Sequence, residues 1–352
     1  MRAVKRATGV ERLYRDLRFG RHGCRPCDAR QVDPRLDRRA VLHVPLLTAL
    51  GVGGCLAPGW EEVPAGTFTI ATGNSGGVFD RYGEALAAVL RRRLLTLTVD
   101  TRPTDASVAN VELVADGGCE IAMSLADTAA DAVRGTGTFD HSYELAALAR
   151  TYDSYVHLVV RADSAIDDVT ALRGRRVGLG SRGSGTRVLA TRILRQAGLG
   201  VADVRVTDQT LEDSARALSA RRLDAFFFVS GIPNSAVATL AASLPIRLVE
   251  LDRWVPGMVE THGPEYVRGP IPASTYDLGG AVQTLSVKNY ILADPGLTEE
   301  LAYAVTRVLF EGQNDVDRLA PGVPQPVAAA ATFTSPVELH PGAVRYYRET
   351  QA

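Results

Sequence analysis

Short apolar runs and amphipathic stretches alternate along the chain from Thr67 onward. Thr67-Phe68-Thr69-Ile70-Ala71 predicts a strand, and residues 78–90, apolar at helical spacing, predict the helix that follows it. Leu97-Thr98-Val99-Asp100 reads as a second strand, 107–115 as a helix, and Glu120-Ile121-Ala122-Met123-Ser124 as a third strand. Val156-His157-Leu158-Val159-Val160 is almost wholly apolar, the composition of a strand covered on both faces. A helix over 166–172, a strand from Arg176 and a helix over 188–197 come next. Asp224-Ala225-Phe226-Phe227-Phe228-Val229 is another buried strand, and 254–276 is rich in Pro and Gly with weak periodicity. A strand over 282–287 and a helix over 299–311 complete the pattern. Such alternation predicts an α/β fold with mostly parallel sheets.

Two strand-to-helix turns are rich in glycine and hydroxyl residues, Thr72-Gly73-Asn74-Ser75-Gly76-Gly77 and Gly183-Ser184-Gly185-Thr186. The first N–H groups of a helix have no intrahelical acceptor and lie at the positive end of its dipole, so such a turn suits a small anion. Ligands of open α/β sheets bind beyond the carboxyl ends of strands. Both turns lie there, as do 124–127 and 230–233. Thr72, Ser75, Gly76, Gly77, Ser184, Gly185, Thr186, Gly231 and Pro233 are therefore candidate ligand contacts. Plain N-capping is the competing role for the hydroxyls. Asn110 stands one helical turn from Ser107, so both can face a cleft or, alternatively, solvent. Asp127 is a candidate to orient a donor or to cap the next helix, and Tyr152 to lie against the ligand. His157, within an apolar strand, is expected to be a satisfied core histidine. Phe226 to Phe228 are expected in the core, with one of them free to line a pocket. Arg187 has two readings, a partner for a ligand carboxylate or a helix-surface residue.

Composition narrows the classes. Lysine and arginine number 39 against 40 aspartates and glutamates, a net charge of −1 over 352 residues, and basic and aromatic residues do not interleave. Nucleic acid is not an expected partner. Residues 1–39 are rich in arginine and read as a disordered extension or a start placed too far upstream. The apolar run 40–55 is shorter than the roughly 20 residues of a membrane-spanning helix. With Arg38-Arg39 before it, the run has the form of a signal-peptide core. Val52-Gly53-Gly54-Cys55 resembles a lipoprotein processing site, which makes Cys55 the candidate lipidation site, and 56–66 a tether. An ordinary buried helix and a twin-arginine signal are the other readings of 38–55. Export to the periplasm or the outer face of the cytoplasmic membrane follows from the first, with membrane association only through the lipid. Cys24 and Cys27 lack a second ligand pair for zinc, and Cys119 stands alone, so no metal is expected and Cys119 should be a small buried residue. No Ser-His-Asp order is visible, and 183–186 lacks the lysine of a nucleotide-binding loop. Neither a catalytic residue nor a cofactor is expected.

With these residues in view, the chain resembles the TAXI family, the TRAP-associated extracytoplasmic immunogenic solute receptors, from about Thr67 to about Phe310. Their Gly-Thr-Gly-Gly-Thr-Gly-Gly-Val-Tyr-like loop is matched by residues 71–79, and a Gly-Ser-x-x-Asn element by Ala106-Ser107-Val108-Ala109-Asn110. A Leu-Tyr…His-Leu-Val-Val stretch is matched by Thr151-Tyr152 and His157-Leu158-Val159-Val160. Leu-Lys-Gly-Lys-Arg-Val…Gly-Ser-Gly-Thr corresponds to Leu172-Arg173-Gly174-Arg175-Arg176-Val177 and 183–186. Asp-Ala-Phe-Phe…Gly-x-Pro corresponds to 224–233, and Ile-Pro-x-x-x-Tyr to 271–276.

The resemblance implies a two-lobed periplasmic-binding-protein fold of type II, with lobe I over 67–160 plus 277–352 and lobe II over 161–276. Each lobe would be a mostly parallel sheet flanked by helices, joined by hinge crossovers near 159–162 and 273–284. It also implies capture of a small organic anion, a carboxylate or amino acid, for the subunits of a TRAP-type membrane permease. A ligand-binding sensory or adaptor protein, or an enzyme on the same fold, are the alternatives. The sequence departs from the family at Leu125-Ala126-Asp127, where Gln-Ser-Asp is frequent, at Asp80, where a second Tyr is usual, and at Asn74, which replaces glycine. The glutamate or 2-oxoglutarate specificity of some relatives is therefore not carried over.

Overall fold

The computed structural model describes residues 63–350. The arginine-rich stretch, the apolar run with Cys55, and the Cys24–Cys27 pair lie outside the described residues. The elements run β1 (Gly66–Ala71), α1 (Val78–Arg93), β2 (Leu97–Arg102), α2 (Ser107–Ala115), β3 (Ile121–Leu125), α3 (Ala126–Arg134) and β4 (Ala146–Arg161). Then come β5 (Arg176–Gly178), α4 (Gly185–Gln196), β6 (Arg205–Thr207), α5 (Leu211–Ser219), β7 (Ala225–Ser230), α6 (Ser235–Ser243), β8 (Ile246–Leu248), α7 (Val255–His262) and β9 (Tyr266–Ile271). β10 (Val282–Ala293), α8 (Glu299–Glu311), α9 (Gln313–Leu319), α10 (Ala328–Ala331), β11 (Glu338–Leu339) and α11 (Pro341–Thr350) close the chain. α1 shows why the pattern works: Tyr82, Ala85, Leu86, Val89 and Leu90 recur at helical spacing and are buried, while Arg91 to Arg93 sit at the negative end of the dipole.

The main strand order is β2-β1-β3-β10-β4-β7-β5-β6. β1, β2 and β3 are parallel and form one lobe; β5, β6 and β7 are parallel and form the other. Between them, β10 runs antiparallel to β3, and β4 runs antiparallel to β7. The two lobes are thus built on two shared strands. β10 pairs with β3 over Asn289–Ala293, and β4 pairs with β7 over Tyr155–Val160. A register shift between Lys288 and Tyr290 breaks the β10–β4 ladder where the partners change. The strand expected at 156–160 is only the end of a 16-residue strand whose earlier part includes Arg150 and Asp153. Those charges hide it from an apolar scan. The helix expected over 166–172 reduces to a single turn at Val169–Leu172, capped by Asp168. The Pro- and Gly-rich 254–276 contains both α7 and β9. Pro256 lies in the first turn of α7, and Pro270 lies on β9, which pairs with β10 alone, so neither proline breaks its element.

Asn110 and Ala106 shape the junction of β1, β3 and α2. The buried Asn110 amide donates to the carbonyls of Thr72 (2.5 Å) and Met123 (2.7 Å), and its oxygen accepts from the Thr104 hydroxyl (2.5 Å). It pins two strand ends together. Ala106, the residue before α2, has φ 77° and ψ −139°, a conformation that glycine adopts and alanine resists. The TAXI resemblance places glycine at this position.

A buried charged group fastens the lobes. Arg192 of α4 donates to Asp131 and, at 3.4 Å, to Asp127, both on α3; it also donates to the Tyr266 hydroxyl of β9 at 2.5 Å. Tyr266 in turn donates to Asp127 at 3.1 Å. One guanidinium thus serves two carboxylates. Desolvation outweighs the attraction of Arg192, so the Asp127 carboxyl is pushed up to about 6 and that of Asp131 is also raised.

Two outcomes are expected. Ala106→Gly should raise the unfolding free energy by about 1 kcal/mol, measured by urea denaturation, because it relieves the backbone strain. Between its ordinary range and about 6, Asp127 holds a proton in the folded protein that the unfolded chain has released. Its contribution to stability must therefore fall as pH rises through that window. Asp127→Asn should remove that slope relative to the parent protein in urea titrations at pH 4.5 and 7.5.

Candidate functional site

A cavity of about 50 Å³ lies where the two lobes meet. Gly73, Asn74, Gly77, Val78 and Phe79 line it from the first turn and α1, with Ala106, Ser107 and Leu125 beside them. Ser184, Gly185 and Thr186 from the second turn and Phe228, Val229 and Ser230 from β7 face them, while Tyr152 and Ser154 of β4 form the floor. The lobes touch directly around this space. Val108 and Ala109 donate their N–H groups to the Gly183 carbonyl at 3.1 and 3.2 Å. A Cβ on Gly185 would come within 2.5 Å of Leu125 Cδ1 and 2.8 Å of Ser107 Oγ. This is a closed arrangement of the lobes, and only glycine permits it at position 185.

The first turns of α1 and α4 both border the cavity. Within α1, Val78 and Phe79 have no intrahelical acceptor for their N–H groups; within α4 the same holds for Gly185 and Thr186. The positive end of α2, by contrast, is taken by the Gly183 carbonyl. Of the predicted contacts, Gly77, Ser107, Tyr152, Ser184, Gly185 and Thr186 border the cavity. Ser107 accepts from the Leu125 N–H at 3.1 Å, and Thr186 accepts from the Val229 N–H at 3.3 Å, so each hydroxyl proton stays available. Ser184 caps α4: it accepts from the Arg187 N–H at 3.1 Å and donates to the Ser181 carbonyl at 2.7 Å. The Tyr152 ring packs against Gly231, and its buried hydroxyl, like that of Tyr82, has no hydrogen-bond partner among the described residues. Burial raises the Tyr152 hydroxyl well above its ordinary value.

The structure puts the other candidates elsewhere. Ser75 is exposed, and Gly76, at φ 77°, faces Glu212 of α5, with its N–H held by Asp80 at 3.0 Å. Both border a second, more open hollow of about 630 Å³ together with Thr210 and Glu212, which shares Gly73 and Asn74 with the cavity. Thr72 is buried behind the loop and donates to Asp80 at 3.4 Å. Asn110 and Asp127 are engaged in the pins described above. Gly231 and Pro233 lie one and three residues past Ser230, the β7 residue that borders the cavity. Phe228 is the one phenylalanine of its strand that lines the cavity, while Ser154, Ser230 and Leu125 are among the contacts that residue type does not single out. Ser154 follows Tyr152 at a spacing of two, the repeat of one strand face, and that is the signal that could have found it.

The core histidine behaves as expected. His157 Nδ1–H donates to the Tyr155 carbonyl (2.9 Å), Nε2 accepts from Tyr276 (3.0 Å), and the Tyr276 oxygen accepts from the Asn234 N–H (3.0 Å). Burial pushes His157 down to about 4, so the ring is neutral at physiological pH. Cys119 is likewise buried and unpaired, its thiol pushed up to about 12. Arg187 bonds to Asp208, which Arg182 shares at 2.7 Å, so its guanidinium is engaged on the helix surface. A second concavity of about 970 Å³ opens on this flank of α4, where Arg134, Arg182, Arg187 and Arg195 face Asp131 and Asp208. Among the charged cavity walls of the molecule, this one is separate from the hydroxyl-rich space between the turns.

The chain is similar, at low identity, to several solved structures. BugD, a periplasmic binding protein, is 14% identical with a TM-score of 0.50, over 82% of this chain and 95% of its own. The periplasmic aliphatic sulphonate binding protein SsuA from Escherichia coli is 15% identical with a TM-score of 0.41, over 82% and 84%. A binding protein component of an ABC phosphonate transporter from Pseudomonas aeruginosa is 10% identical with a TM-score of 0.48, over 72% and 78%. The likeness to BugD, together with the strand order, establishes the two-lobed periplasmic-binding-protein fold. Residues 70–350, which hold every element that borders the cavity, match the NMT1-like family, and the chain belongs to that family.

Proposed function

We propose that the protein is an extracytoplasmic solute-binding receptor that captures a small organic anion, a carboxylate or amino acid, between its lobes. The observation that carries this reading is that α1 and α4, from separate lobes, bring unaccepted N–H groups to one cavity. A ligand held by both would bridge the lobes and favour the closed arrangement. Hydrogen bonds to a charged group contribute about 1.5–3 kcal/mol each. A helix terminus adds about 0.3–1 kcal/mol. Four or five such bonds, less the costs of association and ordering, leave room for micromolar binding, about −8 kcal/mol.

Lobe I would comprise 67–160 with 277–352 and lobe II 161–276, with hinge crossovers near 159–162 and 273–284. The TAXI resemblance makes a TRAP-type membrane permease the recipient of the solute. The signal-like run 40–55 and Cys55 would deliver the receptor to the outer face of the cytoplasmic membrane or to the periplasm. In this reading the site binds and releases its solute unchanged.

A calorimetric panel of acetate, butyrate, pyruvate, succinate, 2-oxoglutarate, alanine and glutamate should contain at least one micromolar binder. Gly185→Asp should abolish that binding, because it sets a negative charge and an obstructing Cβ between the lobes. Ser75→Asp, on the outer surface, should leave the affinity within about twofold. A Gly185→Asp protein that keeps its affinity would count against the site.

A further inference from the structure

Resting on the receptor reading, we infer that the cavity selects small organic monoanions without an ammonium group, and rejects both amino acids and dicarboxylates. None of the residues that line it carries a charge. Its polar equipment is weighted towards donors. The first-turn N–H groups of α1 and α4 are unaccepted, and the hydroxyls of Ser107 and Thr186 already accept, which leaves their protons to give. One carboxylate satisfies this set.

An α-ammonium brought in with the carboxylate needs a compensating acceptor of negative charge. The carboxylates next to lining residues do not serve the cavity: Asp80 holds Gly76 and Thr72, Asp127, two residues past Leu125, is tied to Tyr266 and Arg192, and Asp105, beside Ala106, is not part of the lining. The ammonium would be stripped of water and left among uncharged groups alone, a burial that geometry does not offset. A second carboxylate meets the converse problem. Arg187 is bound to Asp208 and Arg192 to Asp127 and Asp131, and neither arginine lines the cavity. Around the donors stand the apolar side chains of Val78, Phe79, Leu125 and Phe228, suited to a short hydrocarbon or keto-bearing tail, together with the uncharged polar Asn74, Tyr152, Ser154 and Ser230. Leu125 stands where the TAXI resemblance has a polar residue.

Matched four-carbon probes test the inference by isothermal titration of the purified protein: butyrate and 2-oxobutyrate, L-2-aminobutyrate, and succinate. The better of the two monoanions should bind at least about 100-fold more tightly than either the amino acid or the dicarboxylate, because each of those leaves a buried charge without a partner. L-2-aminobutyrate or succinate binding as tightly as the monoanions would overturn the selectivity while leaving the receptor reading intact. Absence of saturable binding by all four would overturn it too. If native mass spectrometry of protein purified from its host then also shows no organic anion carried along, the receptor reading falls with it.

Discussion

Two helix termini of the same sign face one small space, and the rest of the structure accommodates that fact. The first turns of α1 and α4 border the same cavity, each with unaccepted N–H groups. Partial positive charges held close together repel. The fold offsets this in two ways. A third helix end nearby, that of α2, is occupied by the Gly183 carbonyl, so it adds no further unmet positive charge to the space. Arg192 then ties α4 and β9 to two carboxylates of α3, which fastens the lobes beside the cavity. A ligand anion would supply the remaining compensation.

Shared strands make this economical. Because β4 and β10 run through both lobes, a change of angle where they exchange partners moves α1 and α4 relative to each other without disturbing either lobe's own sheet. Each lobe has an apolar cluster of its own, Phe68, Tyr82 and Leu86 in one and Leu218, Phe226 and Leu240 in the other, and a third cluster, which includes Val111, Ala126, Leu158 and Leu189, runs across both. The register shift beside Asn289 falls at the exchange. Asn289 there donates to the Tyr152 carbonyl at 2.7 Å and accepts from Ser154 at 3.1 Å, so the cavity floor and the exchange of partners are held by the same side chain.

Much of this was legible in the sequence, and the limits have physical causes. Strand-to-turn-to-helix order identified both glycine turns and the sheet edge where they lie, because periodicity and turn chemistry are local. What locality does not reveal is which side of a turn faces inward. Ser75 and Gly76 belong to the right loop, yet with Gly76 at positive φ and its N–H held by Asp80 they border the neighbouring, more open hollow and not the cavity. Helical spacing from Ser107 and position after β3 make Asn110 and Asp127 candidates, yet both satisfy buried partners that only the tertiary fold brings near. Ser154, Ser230 and Leu125 are hard to single out for the opposite reason. Their residue types are unremarkable, and their position follows from strand alternation and from the approach of the second lobe.

Closure itself selects for small side chains, and this explains why glycine recurs on one side of the interface and strain on the other. A Cβ on Gly183 would sit 3.0 Å from that of Asp105, and one on Gly185 would meet Leu125 and Ser107 closer still. Across from them the chain must turn sharply from Thr104 into α2. Here alanine occupies the position, at a backbone angle suited to glycine. The Ala106 N–H is held by the Thr104 hydroxyl at 2.9 Å, and Thr104 is in turn fixed by Asn110, so the surrounding hydrogen bonds determine the conformation against the residue's own preference. Ala106 itself borders the cavity, with Leu125 and Phe79 beside it. Under the proposed selectivity, that apolar wall would favour a ligand whose non-anionic part is hydrocarbon.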